Sequence, residues 1–105
     1  MIDDLLRITI SAGPPASIAL EGDLDFSTAK TLRRALDGLE PTDDAVFDLT
    51  RLDFIDSSGL SIIATFARRL LPNGSVTVVV PQAPMRRLFA ITALDSVLTI
   101  VERPA

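Results

Sequence analysis

The stretch Asp48-Leu49-Thr50-Arg51-Leu52-Asp53-Phe54-Ile55-Asp56-Ser57-Ser58-Gly59-Leu60 gathers three carboxylates and two adjacent serines just ahead of a helically spaced apolar run. Its pattern is that of a strand, a short loop and the first turn of a helix. At such a place unpaired backbone N–H groups collect and the helix dipole favours negative charge, so a phosphate or a phosphoserine is well accommodated. Asp56, Ser57 and Ser58 are also the residue types that lead as helix N-caps. Gly59 is harder to explain as part of a cap, because glycine in a helix costs up to about 1 kcal/mol against alanine. It implies either a close approach to the backbone or an unusual loop shape. Leu60 follows, pointing either inward or toward a partner.

A second polar element, Gly22-Asp23-Leu24-Asp25, lies between an apolar run and a helical pattern. In an open α/β sheet the carboxyl ends of the strands share one rim, where ligands and partners bind. Asp23, Asp25, Asp48, Asp53 and Asp56 all fall near strand ends on this reading, which would set Ser57 in an acidic rim. Taken singly, each aspartate also suits a turn or a cap.

The composition argues against catalysis by the chain itself. There is no histidine and no cysteine, and Lys30 is the sole lysine, which removes thiolate chemistry, the usual zinc sites and the commonest general base. Paired carboxylates could hydrolyse a glycoside, yet five phenylalanines with no tryptophan or tyrosine offer little surface for a sugar. Ser57 sits in Asp-Ser-Ser-Gly and not in a Gly-x-Ser-x-Gly elbow. Glycine-rich nucleotide loops are missing as well. The expectation is a protein with no catalytic residue, no metal and no cofactor.

A net charge of −4 disfavours binding to nucleic-acid phosphates. The pairs Arg33-Arg34, Arg68-Arg69 and Arg86-Arg87 read as solvated helix faces or complements to helix C-termini. The N-terminus, Met1-Ile2-Asp3-Asp4, is acidic where a signal peptide would be basic, and no apolar run nears the ~20 residues of a membrane span. A cytoplasmic protein without a membrane partner is expected.

The elements that would position these residues follow from periodicity. Leu5–Ile10 alternates as a half-buried strand, residues 11–15 break it, and Ala16–Leu20 resumes, predicting an antiparallel pair. Residues 21–25 read as a polar loop. Phe26, Ala29, Leu32, Leu36 and Leu39 form a helical stripe, with Asp25 or Ser27 as N-cap and Gly38 and Pro41 marking the stop. Ala45–Leu49 reads as a buried strand, followed by a loop through Asp53 and Asp56. A second helix starts near Ser57, carries Leu60, Ile63, Phe66, Ala67 and Leu70, and ends at Pro72-Asn73-Gly74. Val76–Val80 is a strand. Pro84 opens a third helix bearing Met85, Leu88, Phe89 and Ile91, and Val97–Val101 is the last strand. The β-α-β-α-β-α-β order predicts an α/β fold, a mixed and mostly parallel sheet of about five strands with an N-terminal hairpin, covered by three or more helices. With 105 residues and 48% hydrophobic content, one domain over 1–105 is expected.

Gly22-Asp23-Leu24-Asp25, Asp48-Leu49, Leu52-x-Phe54-Ile55-Asp56-Ser57-Ser58-Gly59-Leu60 and Pro84-Met85-Arg86-Arg87-Leu88-Phe89 together resemble the STAS domains of bacterial anti-sigma factor antagonists. The resemblance implies a STAS fold and a partner switch. In that family the serine after the aspartate, Ser57 in this chain, is phosphorylated by a partner that is both an anti-sigma factor and an ATP-dependent serine kinase. The unphosphorylated form binds that partner and frees the sigma factor; the phosphorylated form lets go, and a PP2C-type serine phosphatase resets it. The resemblance implies a partner surface over Asp23, Asp25, Asp56, Ser57, Ser58, Gly59 and Leu60, with the nucleotide held by the partner. It also admits non-switching relatives, which act as scaffolds in stress-signalling assemblies or as accessory subunits of lipid transporters.

Overall fold

In Val76-Thr77-Val78-Val79-Val80 the first, third and fifth side chains are buried and the other two half-buried, the signature of a strand with one face on the core. The same alternation runs through a five-stranded sheet in the computed structural model, which describes residues 5–13, 15–39, 44–81, 83–91 and 97–102. Its strands are β1 (Leu6–Ser11), β2 (Ala16–Leu24), β3 (Ala45–Ile55), β4 (Val76–Val80) and β5 (Thr99–Glu102), in spatial order β1-β2-β3-β4-β5. β1 pairs antiparallel with β2, and the remaining neighbours are parallel. The helices α1 (Phe26–Asp37), α2 (Ser57–Leu70) and α3 (Ala83–Ile91) make the three crossovers. Because each crossover steps the same way along the sheet and is right-handed, the helices share one face.

One apolar cluster joins that face to the helices. Ile18, Leu20, Phe47, Leu49, Val76 and Val78 meet Leu32 and Leu36 of α1, Ile63, Phe66 and Leu70 of α2, and Met85 and Phe89 of α3. Phe47 and Phe66 stack edge to face with ring centroids 5.6 Å apart, a geometry that adds to their burial. All six arginines of the three pairs are exposed, as solvated faces require.

The structure departs from the periodicity reading in instructive places. Residues 21–24 are not a loop: Glu21 and Gly22 pair with Arg7 and Leu6 on one side and with Arg51 and Leu52 on the other. Gly22 permits this with φ +104°, and a Cβ there would lie 2.2 Å from the Leu5 carbonyl oxygen. β3 likewise runs on to Ile55, past the expected end at Leu49. It does so with two register shifts, so that Ala19 and Glu21 face Asp48 and Arg51, and Gly22 and Asp23 face Leu52 and Phe54. The extra residues let Leu49, Leu52 and Ile55 all turn inward at a spacing of three, which simple alternation cannot recognise as a strand.

Smaller differences concern helix faces and ends. Phe26 opens α1 but is 76% exposed, outside the stripe formed by Ala29, Leu32 and Leu36. On α3 only Met85 and Phe89 of the expected set are buried, while Leu88 and Ile91 are exposed. β5 begins at Thr99, with Leu98 buried just before it. Gly38 is the C-cap of α1; Pro14, Pro41 and Met1–Asp4 lie outside the described residues.

Candidate functional site

The carboxyl ends of β2 and β3 deliver the chain directly into α1 and α2, so both helix N-termini stand side by side on one rim. Their alignment is fixed by Leu24 opposite Ile55 and by the Asp56 N–H donating to the Leu24 carbonyl at 3.2 Å. Asp25 is the N-cap of α1: its Oδ1 accepts from the N–H groups of Ser27 at 2.9 Å and Thr28 at 3.1 Å. Thr28 closes a capping box by accepting from the Asp25 N–H at 2.9 Å, and its hydroxyl donates to the Asp23 carbonyl at 2.8 Å. Among the described residues Thr28 is the one buried polar side chain, and these bonds ease its burial. The Ser27 hydroxyl, at 2.6 Å from Asp25 Oδ1, is the main cause of an Asp25 pKa below its ordinary 3.8; the amides of Thr28 and Ser27 act in the same direction.

Asp56 performs the same task for α2 and more. Its Oδ1 accepts from the N–H groups of Ser58 at 2.9 Å and Gly59 at 3.2 Å. Its Oδ2 accepts from the N–H of Phe26, the first residue of α1, at 3.2 Å. One carboxylate therefore ties two helix N-termini together across 30 residues of sequence.

Ser57, the first residue of α2, is exposed, and among the described residues neither its hydroxyl nor its N–H makes a hydrogen bond. The capping work that its residue type would allow is done by Asp56. Ser58 is half-buried and donates its N–H to Asp56. Gly59 and Leu60 face inward, so any part they play at a partner surface is through the placement of the helix. The close approach implied by Gly59 comes from inside the protein: a Cβ there would lie 2.5 Å from Leu24 Cγ and 2.7 Å from Leu24 Cδ2.

The acidic rim is smaller than its sequence suggested. Asp23, Asp25, Asp53 and Asp56 belong to it, Asp23 lying opposite Phe54 in register. Asp48 does not: it lies well inside β3, opposite Ala19 and Val79, and accepts from the Thr50 N–H at 2.9 Å and the Thr50 hydroxyl at 2.7 Å. Two residues that pattern reading left out of the site also stand there, Phe26 and Phe54, at 76% and 51% exposure. Among the described residues no helix is long and apolar enough to cross a membrane.

A parallel sheet entered from an antiparallel hairpin, with helices on one face and a free serine where β3 becomes α2, defines a class of domain that the sequence model of the STAS family also identifies, matching residues 9–104. The chain belongs to the STAS domain family. Among solved structures it is similar to an anti-sigma factor antagonist from Mycobacterium paratuberculosis, at 25% identity and a TM-score of 0.82, over 95% of this chain and 88% of that one. Two structures of SpoIIAA share the fold. The unphosphorylated anti-sigma factor antagonist matches at 20% identity and a TM-score of 0.70, covering 90% of this chain and 88% of that one. The phosphorylated form, a Bacillus cell fate determinant, matches at 21% and 0.66, covering 90% and 91%.

Proposed function

We propose that this protein is an anti-sigma factor antagonist whose grip on its partner is switched off by phosphorylation of Ser57. The observation that carries this reading is the Ser57 hydroxyl, exposed and without a hydrogen bond among the described residues at the start of α2, in a domain similar to a mycobacterial anti-sigma factor antagonist. The partner is an anti-sigma factor that is also a serine kinase and brings its own ATP. Its γ-phosphoryl group passes to Ser57 Oγ: the Oγ–P bond forms, the bond from Pγ to the β,γ-bridging oxygen breaks, the hydroxyl proton goes to a base of the kinase, and ADP leaves. A PP2C-type phosphatase hydrolyses the ester and restores the serine. The chain itself contributes no catalytic residue and no cofactor.

The local electrostatics support a switch that works at the docking surface. Phosphorylation adds about −1.5 to −2 charges at neutral pH. The Ser58 and Gly59 amides already serve Asp56, so the Ser57 N–H is the amide left to the phosphate, whose other oxygens face solvent and any docked partner. Passing from mostly bound to mostly free takes roughly 5 kcal/mol of differential affinity. A dianion that must be desolvated beside Asp56 acts against binding.

The test is incubation with ATP, Mg²⁺ and the anti-sigma factor kinases of the source organism, followed by peptide mass spectrometry and binding measurements. One phosphate on Ser57 is expected. Ser57→Ala should bind the kinase like the unmodified protein, and Ser57→Asp about tenfold or more weakly, a loss of about 1.4 kcal/mol or more. Phosphate on another residue, or equal binding by the two variants, would refute the switch. Self-assembly into large particles, or co-purification with an ABC transporter, would point instead to the scaffold or accessory-subunit role.

A further inference from the structure

The two chain segments that build the rim, 23–27 and 53–58, contain four aspartates and no lysine or arginine. Among the described residues none of Asp23, Asp25, Asp53 and Asp56 is in an ion pair. In the midst of this charge stand two large apolar side chains. Phe26 is 76% exposed and its backbone N–H lies 3.2 Å from Asp56, the residue before Ser57. Phe54 is 51% exposed, three residues before Ser57 and opposite Asp23. An exposed apolar residue is ordinary by itself. A phenylalanine on each of the two segments leading into the α1 and α2 N-termini, flanked in sequence and register by carboxylates that form no ion pair among the described residues, is the composition of an interface centre: aromatic anchors inside a polar rim.

We infer that Phe26 and Phe54 are the apolar anchors by which the kinase partner grips this rim, seated in apolar pockets of the partner bordered by its lysine or arginine side chains. The inference rests on the partner switch proposed above and names the chemistry of the surface that reads it. The carboxylates steer a basic partner and set its orientation, while the aromatic rings supply most of the affinity once water is expelled. A phosphate on Ser57 adds a dianion next to Asp56 and three residues after Phe54. Its bulk and its desolvation oppose docking on this rim while both rings remain in place.

The test compares Phe26→Ala, Phe54→Ala and Ile91→Ala in binding to, and phosphorylation by, whichever kinase modifies Ser57 of the unmodified protein. Ile91 is as exposed as Phe26, at 80%, but ends α3 at the opposite rim. Each phenylalanine variant should bind at least tenfold more weakly and raise KM for phosphorylation with little change in kcat, while Ile91→Ala behaves as the unmodified protein. Phe26→Leu, which keeps an apolar side chain, should recover most of the affinity lost in Phe26→Ala. Matching circular dichroism and melting curves exclude unfolding as the cause. Unchanged binding by both alanine variants, or an equal loss from Ile91→Ala, would overturn the anchors and leave the switch standing. Failure of the unmodified protein to be bound or phosphorylated would instead defeat the switch itself.

Discussion

Asp56 should be worth more to this fold than an ordinary helix cap, because its two oxygens serve different helices. Replacing an N-cap aspartate by alanine costs about 0.5–2 kcal/mol. For Asp56→Ala that loss falls on α2, through the Ser58 and Gly59 amides. The bond from Phe26 N–H to Oδ2 adds a second loss at the start of α1; it is exposed, so water replaces part of it and about 0.5–1 kcal/mol is expected. The sum is about 1–3 kcal/mol, which at a urea m-value of about 1–1.5 kcal/mol/M lowers the unfolding midpoint by about 0.7–3 M. Asp56→Asn separates the two roles. Its amide oxygen can still cap α2, but its NH₂ group meets the Phe26 N–H donor to donor, and the charge favoured by both helix dipoles is gone. About 0.5–1.5 kcal/mol should be lost. Hydrogen exchange assigns the losses: protection of the Phe26 amide should fall in both variants, and that of Ser58 and Gly59 in Asp56→Ala alone. Equal midpoints for the two variants, or an unaffected Phe26 amide, would show that Asp56 does not join the helices.

Two further outcomes follow from the packing and the charges of the same rim. Gly59→Ala gains up to about 1 kcal/mol of helix propensity but drives a methyl group to 2.5 Å from the branch point of Leu24, a side chain with no exposure. Overpacking of this kind costs about 1–3 kcal/mol, so a net loss of about 1–2 kcal/mol is expected in chemical denaturation, and a stabilised variant would refute the contact. Asp25 has a folded-state pKa below its ordinary 3.8 because the Ser27 hydroxyl and two amides hold the carboxylate. Its contribution is therefore complete above the unfolded-state value and is lost as pH falls through the folded-state value. The stability gap between the unmodified protein and Asp25→Asn should be constant near neutral pH and close as acid is added below about pH 4; a gap that widens in acid contradicts the assignment.

The strands that alternate cleanly and the helices with regular stripes were legible from residue types alone. Val76–Val80 falls where its pattern puts it, and α2 starts at Ser57. Reading failed where a tertiary device overrides local pattern. Glu21-Gly22-Asp23 looks like a loop because it is polar, yet pairing with β1 and β3 on both sides holds it extended. Leu49, Leu52 and Ile55 look aperiodic because the register shifts that make them a strand are visible only against β2. Of the site, Ser57, Asp56, Asp25 and Asp23 could be named from the chain. That Phe26 is outside the core could not, since its spacing to Ala29 fits a buried stripe; only the position of α1's first turn relative to the end of the sheet exposes it. The Asp25-x-x-Thr28 spacing is the sequence signal of the α1 capping box.

The division of labour between Asp56 and Ser57 suits this helix N-terminus to the switch proposed above. If Ser57 were the cap, its hydroxyl would be occupied by backbone amides, and modifying it would disturb the helix that presents it. Asp56 takes that role, with Asp25 and Thr28 holding the neighbouring helix by the same means. Gly59 lets α2 sit close enough on Leu24 for the two helix N-termini to share one carboxylate. The Ser57 hydroxyl, next to the cap, is thereby left without a hydrogen bond among the described residues. On the proposed reading, stability and signal reside in adjacent side chains, and a phosphate on Ser57 would alter what the rim shows to a partner while leaving the bonds that build the rim in place.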